Sequence, residues 1–520
     1  MTVILGPILG FRGLEDGEWR TCALVVAERN VAPPELTWFV DNEGRRNEVE
    51  SASERTHLKS FKDFDVWRFD WSVEQSDGEQ SVVYSLGDGT EYRFSVPAID
   101  QPLRVAYGSC AGFSSLGEMK KVGNKNAMWD VLGEQNREEP YHLMLMGGDQ
   151  VYADLVWDTV APLRNRLAGL GGARDWYHAE FTDDIRTAVE EFYFDLYLQR
   201  WTQIESSGLL AQVPSLMMWD DHAVFDGWGS YPQEQQDSPV FRGIWEQARE
   251  HFRLFQLQAA DDLALPSGML CKPDEHNEQP NFTYAYRIGD LALAVLDMRS
   301  ERTQKRVMSL KTWNALQEWM EKELEGCRHL FVVSSIPVVY VNSNLVEAAF
   351  GFLPGQQDLE DDFKDQWLSR THKEERLRLI HRLLKFSQKS GCRATIVSGD
   401  VHVAALGYVQ SARDGSANEK PNVINQLISS AIVHPPPQGL IVYAMEKVMA
   451  DNVEEVDRGI TARMMKFPFS AQHFIAKRNW LSLELDEESR VWAKWHVEGE
   501  KEPLHQGRPP DRREVTNTEP

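Results

Sequence analysis

Residues 142–154 read HLMLMGGDQVYAD. The apolar run has the length of a fully buried strand and is closed by two glycines, which separates it from a helical segment. Asp149, Tyr152 and Asp154 then follow in close succession. In open α/β sheets ligands bind beyond the carboxyl ends of the strands, so a strand that ends this way points to such a sheet and to a site at its edge. A phenol crowded among carboxylates suits a hard, high-valent cation. A free phenol, of pKa roughly 10, holds its proton near neutral pH, but a strong Lewis acid such as ferric iron stabilises the tyrosinate.

Five further runs share this grammar: LRVAYGSC (103–110), PSLMMWDDH (214–222), LALAVLDMR (291–299), HLFVVSSIP (329–337) and ATIVSGDVH (394–402). Amphipathic stretches alternate with them at 181–203, 240–259, 310–326 and 374–391, the last closed by Gly391 as a C-cap. Alternation of this kind predicts an α/β layer fold. One strand ending in Asp or Ser is explained by helix capping, but six ending in reactive polar residues point to a shared site. In SGDVH an extended chain puts Asp400 and His402 on one face. In WDDH, two carboxylates buried without a cation would repel, and a metal removes that conflict. A structural ion pair is the competing explanation for either group. Taken singly, Cys110 reads as a small buried hydrophobe and Tyr152 as an amphipathic wall residue.

Residues 1–100 read as short alternating strands with turns such as EDGE and GDGT, predicting an antiparallel β-sandwich domain without grouped reactive side chains. Residues 101–500 form the α/β domain, with a helical insertion at about 155–212. The stretch NWLSLELDEESRVWAKWHVEG (479–499) reads as a hairpin able to extend a sheet edge. Residues 501–520 are expected to be a disordered tail, and the segment from Val341 to Gln366 is expected to shape the pocket.

Composition narrows the function. The 520 residues exceed the roughly 250 to 300 that one core usually serves, so more than one domain is expected. No run approaches the roughly 18 apolar residues of a membrane span. Lys plus Arg at 55 against Asp plus Glu at 80 gives a net charge of -25, which argues against nucleic acid. An anionic substrate would need local positive charge, which a bound metal supplies. The five cysteines, Cys22, Cys110, Cys271, Cys327 and Cys392, have no paired spacing, so a disulfide framework is not expected. No signal peptide or twin-arginine motif opens the chain, which gives a cytoplasmic expectation. Nothing in the sequence specifies a protein partner.

In order, GSC, GDQVYAD, WDDH, LDMRSER, SSIPVV and SGDVH make the chain resemble the PhoD-like (alkaline phosphatase D) branch of the calcineurin-like metallophosphoesterases. The similarity runs from about Arg104 to INQLISSAIVHP (424–435), roughly two thirds of the chain, and the ordered set is far more specific than any one motif. The resemblance implies a four-layer αββα domain that hydrolyses phosphate mono- or diesters with a dinuclear site of Fe(3+) and Ca(2+), with Zn, Mn or Mg as alternatives at the second position. It implies that Cys110, Asp149, Tyr152 and His402 hold the iron, and that Asp149 bridges to an ion held by Asp221 and Asp400. A metal-activated hydroxide would attack phosphorus in line. His222 would stabilise the transition state or protonate the leaving oxygen, and Arg299 would clamp the phosphate, with Arg302 in reserve. An ion pair to a neighbouring carboxylate is the alternative use of Arg299.

Ala223 departs from the acidic residue that usually follows DDH, and Asp226 is the nearest compensation. A noncatalytic scaffold with a decayed phosphatase domain, and a phospholipase D-type activity on the same site, are the competing functions. His434 reads as a turn residue before Pro435–Pro437.

Overall fold

A computed structural model describes residues 3–29, 35–42, 45–47, 53–87, 89–170, 176–260, 265–272, 280–341, 367, 372–412, 422–449, 453–468, 470–486 and 488–507. Residues 342–366 and 508–520, on which the pocket-shaping segment and most of the expected tail fall, lie outside them.

All six apolar runs form strands: Val105–Gly108, Leu143–Met146, Ser215–Met217, Leu291–Val295, His329–Val333 and Arg393–Ser398. The first three pair in parallel within a ten-stranded sheet, the last three within a nine-stranded one. Parallel pairing sends the ends of each trio in one direction, so the polar residues after them gather at sheet edges. The amphipathic stretches are helices at Asp183–Trp201, Pro239–His251, Leu310–Glu323 and Lys373–Ser390, and Gly391 ends the last at φ 72°. Helices also occupy Val156–Thr159, Ala161–Ala168 and Ile204–Leu210, between two strands of the larger sheet.

The apolar core is shared between the large sheets. Leu145 and Met217 of one and Phe331, Val397 and Leu427 of the other belong to a single buried cluster. Burial of each such side chain contributes about 1.5–3 kcal/mol. Polar links cross the same interface: the Tyr284 hydroxyl donates to Met217 O at 2.8 Å, and Trp495 Nε1 to Ile428 O at 2.8 Å. A second cluster joins helices Leu310–Glu323 and Lys373–Ser390, through Trp313, Leu316, Leu379 and Leu383, to Leu330, Val332 and Ile396.

The expected boundary near residue 100 does not coincide with a break between sheets. Strands Val3–Glu15, Glu18–Glu28, Glu54–Phe61 and Phe64–Glu74 continue the ten-stranded sheet, joined to Ser215–Met217 in parallel at Gly10↔Ser215. A Cβ on Gly10 would lie 2.9 Å from Cys22 Sγ and 3.3 Å from Gln258 Oε1, so a glycine fits this splice. A separate four-stranded sheet holds Arg45–Asn47, Thr37–Asn42, Gln80–Ser85 and Glu91–Val96. The two sheets meet through Trp71 against Tyr84, with ring centroids 5.7 Å apart. Alternation identified these strands but not their partners, because pairing is a long-range property.

At the other end, strands Asn479–Leu485 and Val491–Val497 form a hairpin that extends the sheet beyond Val105–Gly108. Leu504–Gly507 pairs with Val491–Val497, so the expected disordered tail contains a strand at its start. Among the described residues, no helix is long and apolar enough to cross a membrane.

Candidate metal centre

The site residues follow strand ends, and four of them stand on backbone that is locally unusual. Cys110, Asp149, Asp400 and His402 take φ of 54°, 56°, 69° and 53°. A left-handed conformation in residues with a Cβ costs about 1–3 kcal/mol each, and such strain persists where the surroundings impose it. Here they do. Cys110 N donates to Gly148 O at 3.1 Å and Ala111 N to Asp149 O at 2.7 Å, while His434 N donates to Cys110 O at 3.1 Å. The Ser430 hydroxyl lies 3.0 Å from Cys110 Sγ and accepts from His402 N at 3.1 Å, tying two site residues to one side chain. The expected extended conformation of Asp400 and His402 is not found. Both sit in left-handed turns, so their convergence comes from the turns rather than from strand alternation.

The carboxylates form two overlapping groups. Ligating atoms of Asp149, Asp221 and His222 lie within 4.8 Å of one another, as do those of Asp220, Asp221 and Asp400, with Asp221 common to both. Cys110 Sγ lies 3.7 Å from Asp149 Oδ2. The Tyr152 hydroxyl lies 3.4 Å from His402 Nε2, and Cys110, Tyr152 and Ala431 pack as one small buried cluster. Gly112 makes room for Tyr152, since a Cβ there would overlap its ring. Cys110, Asp149, Tyr152, Asp221, Asp400 and His402 are thus brought together, and His222 with them.

Protonation follows from crowding. Burial, reinforced by Asp220 and Asp221, pushes the Asp149 carboxyl well above the usual carboxylate range. Burial, with Cys110 and Asp149 nearby, likewise raises the Tyr152 phenol, and burial with Asp149 raises the Cys110 thiol. His402 is held neutral by burial and by His434 and His222. His222 is opposite: burial disfavours its charge, yet Asp154 and Asp221 raise its pKa well above the ordinary imidazole value. Asp149 Oδ1 is buried without a hydrogen-bond partner. A cation fits this donor set, because it would satisfy that oxygen and offset the burial and crowding that favour the protonated forms of the Asp149 carboxyl, the phenol and the thiol.

Arg299 is fully buried. Its Nε pairs with Asp220, Nη2 reaches Asp221 Oδ1 at 3.2 Å, and Nη1 donates to Trp228 O at 2.9 Å. The ion-pair use of this arginine is therefore the one present, and it orients both carboxylates of WDDH. Arg302 is also buried, with Nη2 3.4 Å from His372 Nδ1.

Asp154, two residues after Tyr152, has a role that its place in the sequence does not specify. His222 Nδ1 lies 3.0 Å from each of its oxygens, and Asp154 Oδ1 accepts from Asp226 N at 2.7 Å. Asp226 thus meets the site through its backbone, beside the buried Ala223. His434, read as a turn residue, stacks on His402 with centroids 3.8 Å apart and lies 3.1 Å from Glu118 Oε2. The Tyr152 ring stacks against His222 at 4.4 Å and His434 at 5.6 Å.

A family profile described as PhoD related phosphatase matches residues 80–353 and 344–455. An uncharacterized protein of Saccharomyces cerevisiae, YGR266W, is 27% identical over 527 aligned positions, covering 86% of this chain and 75% of that one. The solved structure of PhoD superposes with a TM-score of 0.55 at 12% identity, covering 94% of this chain and 86% of the other, a likeness of fold.

Proposed function

Because this chain belongs to the PhoD-related phosphatase family, we propose that it is a metal-dependent hydrolase of phosphate mono- or diesters acting at the Asp149–Asp221 centre. The observation that carries the proposal is the Asp149 carboxylate, buried with one oxygen unpartnered among other carboxylates. Cys110, Asp149, Tyr152 and His402 would hold iron. Asp149, Asp221 and Asp400 would hold the second ion, calcium or alternatively zinc, manganese or magnesium. Bound there, such ions acidify water and neutralise phosphoryl oxygens.

The chain's own residues supply the rest. Asp154 fixes the His222 ring through Nδ1, which leaves Nε2 to hold a proton for the leaving oxygen. Arg299 keeps Asp220 and Asp221 aligned rather than binding substrate. Tyr152, stacked between His222 and His434, limits the space around the phosphate. The proposal takes the two large sheets and the helices against them as a four-layer αββα domain. The core common to the sheets supports this, as do the helices packed on the nine-stranded sheet.

Metal analysis of the purified chain with its visible spectrum, beside Tyr152→Phe, tests the proposal. Bound iron at about one per chain and a charge-transfer band that Tyr152→Phe abolishes are expected. A colourless, metal-free chain that stays so after incubation with these metals would overturn it.

A further inference from the structure

Helix Leu116–Lys121 buries none of its residues, yet one of its side chains reaches the metal centre. Glu118 Oε2 lies 3.1 Å from His434 Nε2, and the two residues are 316 positions apart in sequence. The helix N-cap supports that reach: the Ser115 hydroxyl accepts from Glu118 N at 3.2 Å.

His434 is held at every edge. Its Nδ1 donates to Pro435 O at 2.9 Å, so Nε2 is the nitrogen turned to the carboxylate. Its backbone N–H donates to Cys110 O at 3.1 Å, and the three prolines that follow it stiffen the chain. The ring lies parallel to two residues assigned above to iron. It stacks 3.8 Å from His402 at an interplanar angle of 23° and 5.6 Å from Tyr152 at 18°. A ring fixed by a hydrogen bond at Nε2 and by the backbone at Nδ1 cannot turn without breaking one of them. The rings stacked on it inherit that restriction.

We propose that Glu118 and His434 form a positioning pair for the iron-side ligands, holding the rings of His402 and Tyr152 in the orientation that captures metal. The pair rests on the metal centre proposed above and adds two residues to it. Groups that orient ligands rather than bind metal are worth about 10- to 100-fold in metal affinity.

The test uses the full chain as wild type, Glu118→Ala, Glu118→Gln and His434→Ala. Each is loaded with iron and dialysed against graded concentrations of a chelator, with retained metal measured per chain and the melting temperature of the metal-free form recorded. Glu118→Ala and His434→Ala should release metal at about 10- to 100-fold lower chelator strength. Glu118→Gln, which keeps an acceptor for His434, should restore most of the difference. The metal-free melting temperature of Glu118→Ala should match wild type, since the helix buries none of its residues, whereas His434→Ala also removes a buried ring and is compared only in metal retention. Alanine variants that hold metal as well as wild type would overturn the pair alone. So would a Glu118→Gln variant as weak as Glu118→Ala, or metal loss in Glu118→Ala that tracks a lower metal-free melting temperature of that variant. A wild-type chain that binds no metal would overturn the metal centre itself and the pair with it.

Discussion

The imidazole of His222 lies with Nδ1 3.0 Å from both carboxylate oxygens of Asp154, a contact that closes the loop between two strand ends. The same strand ends are joined by Ala153 N donating to His222 O at 2.7 Å. A side chain and a backbone bond therefore set the direction of Nε2 together. Replacing Asp154 by Ala should lower kcat by about 10²-fold, the usual worth of a positioned acid–base group, while leaving bound metal unchanged. Steady-state kinetics with metal analysis checks this. An unchanged kcat would remove His222 from the chemistry.

Gly112 sets the position of the Tyr152 ring. Gly112→Ala should displace that ring, costing about 1–3 kcal/mol of stability and weakening the charge-transfer band. Gly117→Ala is the matched control: its Cβ would meet only Ser115 Oγ, at 3.6 Å. Thermal unfolding and visible spectra of the two variants should separate them.

Strand Val3–Glu15 is structural to the large sheet. Ser215 Oγ donates to Leu9 O at 2.8 Å and Gln258 Nε2 to Ile8 O at 2.9 Å, so removal of the strand leaves these donors and a sheet edge unpaired. A chain beginning at residue 101 should aggregate or melt without a cooperative transition, as read by circular dichroism. A sharp transition near that of the full chain would instead support residues 1–100 as an independent first domain.

His329 gives a pH-dependent stability with a defined sign. Its Nδ1 donates to Ser489 O at 3.1 Å and its Nε2 lies 3.0 Å from Thr395 Oγ1, and burial lowers its pKa to about 4. The unfolded imidazole, near 6.5, binds more protons than the folded one between these values, so stability falls as pH drops through that window. The loss is complete below about 4 and amounts to about 3 kcal/mol. Denaturant unfolding of wild type and His329→Gln from pH 7 to 4 should show a shallower decline in the variant. Parallel declines would remove His329 as the cause.

The parts of this molecule readable from sequence are those governed by short-range pattern. The run Leu143–Met146 and its counterparts became strands because apolar residues bounded by glycine or polar ends have few other solutions, and Lys373–Ser390 became a helix by its spacing and its glycine cap. The gathering of Cys110, Asp149 and Asp221 was legible because parallel strands of one sheet deliver their ends to the same edge, whereas Asp400 comes from the other sheet. Partnership was not legible. Nothing near Gly10 announces Ser215, and nothing near Glu118 announces His434. Arg299 could be placed by its strand, but whether it faced substrate or Asp220 depended on a contact 79 positions away in the chain.

The most direct test of the central claim is hydrolysis of p-nitrophenyl phosphate and bis(p-nitrophenyl) phosphate by the metal-loaded chain, beside Asp149→Asn prepared in the same way. Hydrolysis of at least one ester, lost on chelation and abolished by Asp149→Asn, is the expected result. Absence of hydrolysis with every metal offered, or hydrolysis that Asp149→Asn and chelation leave unchanged, would contradict it.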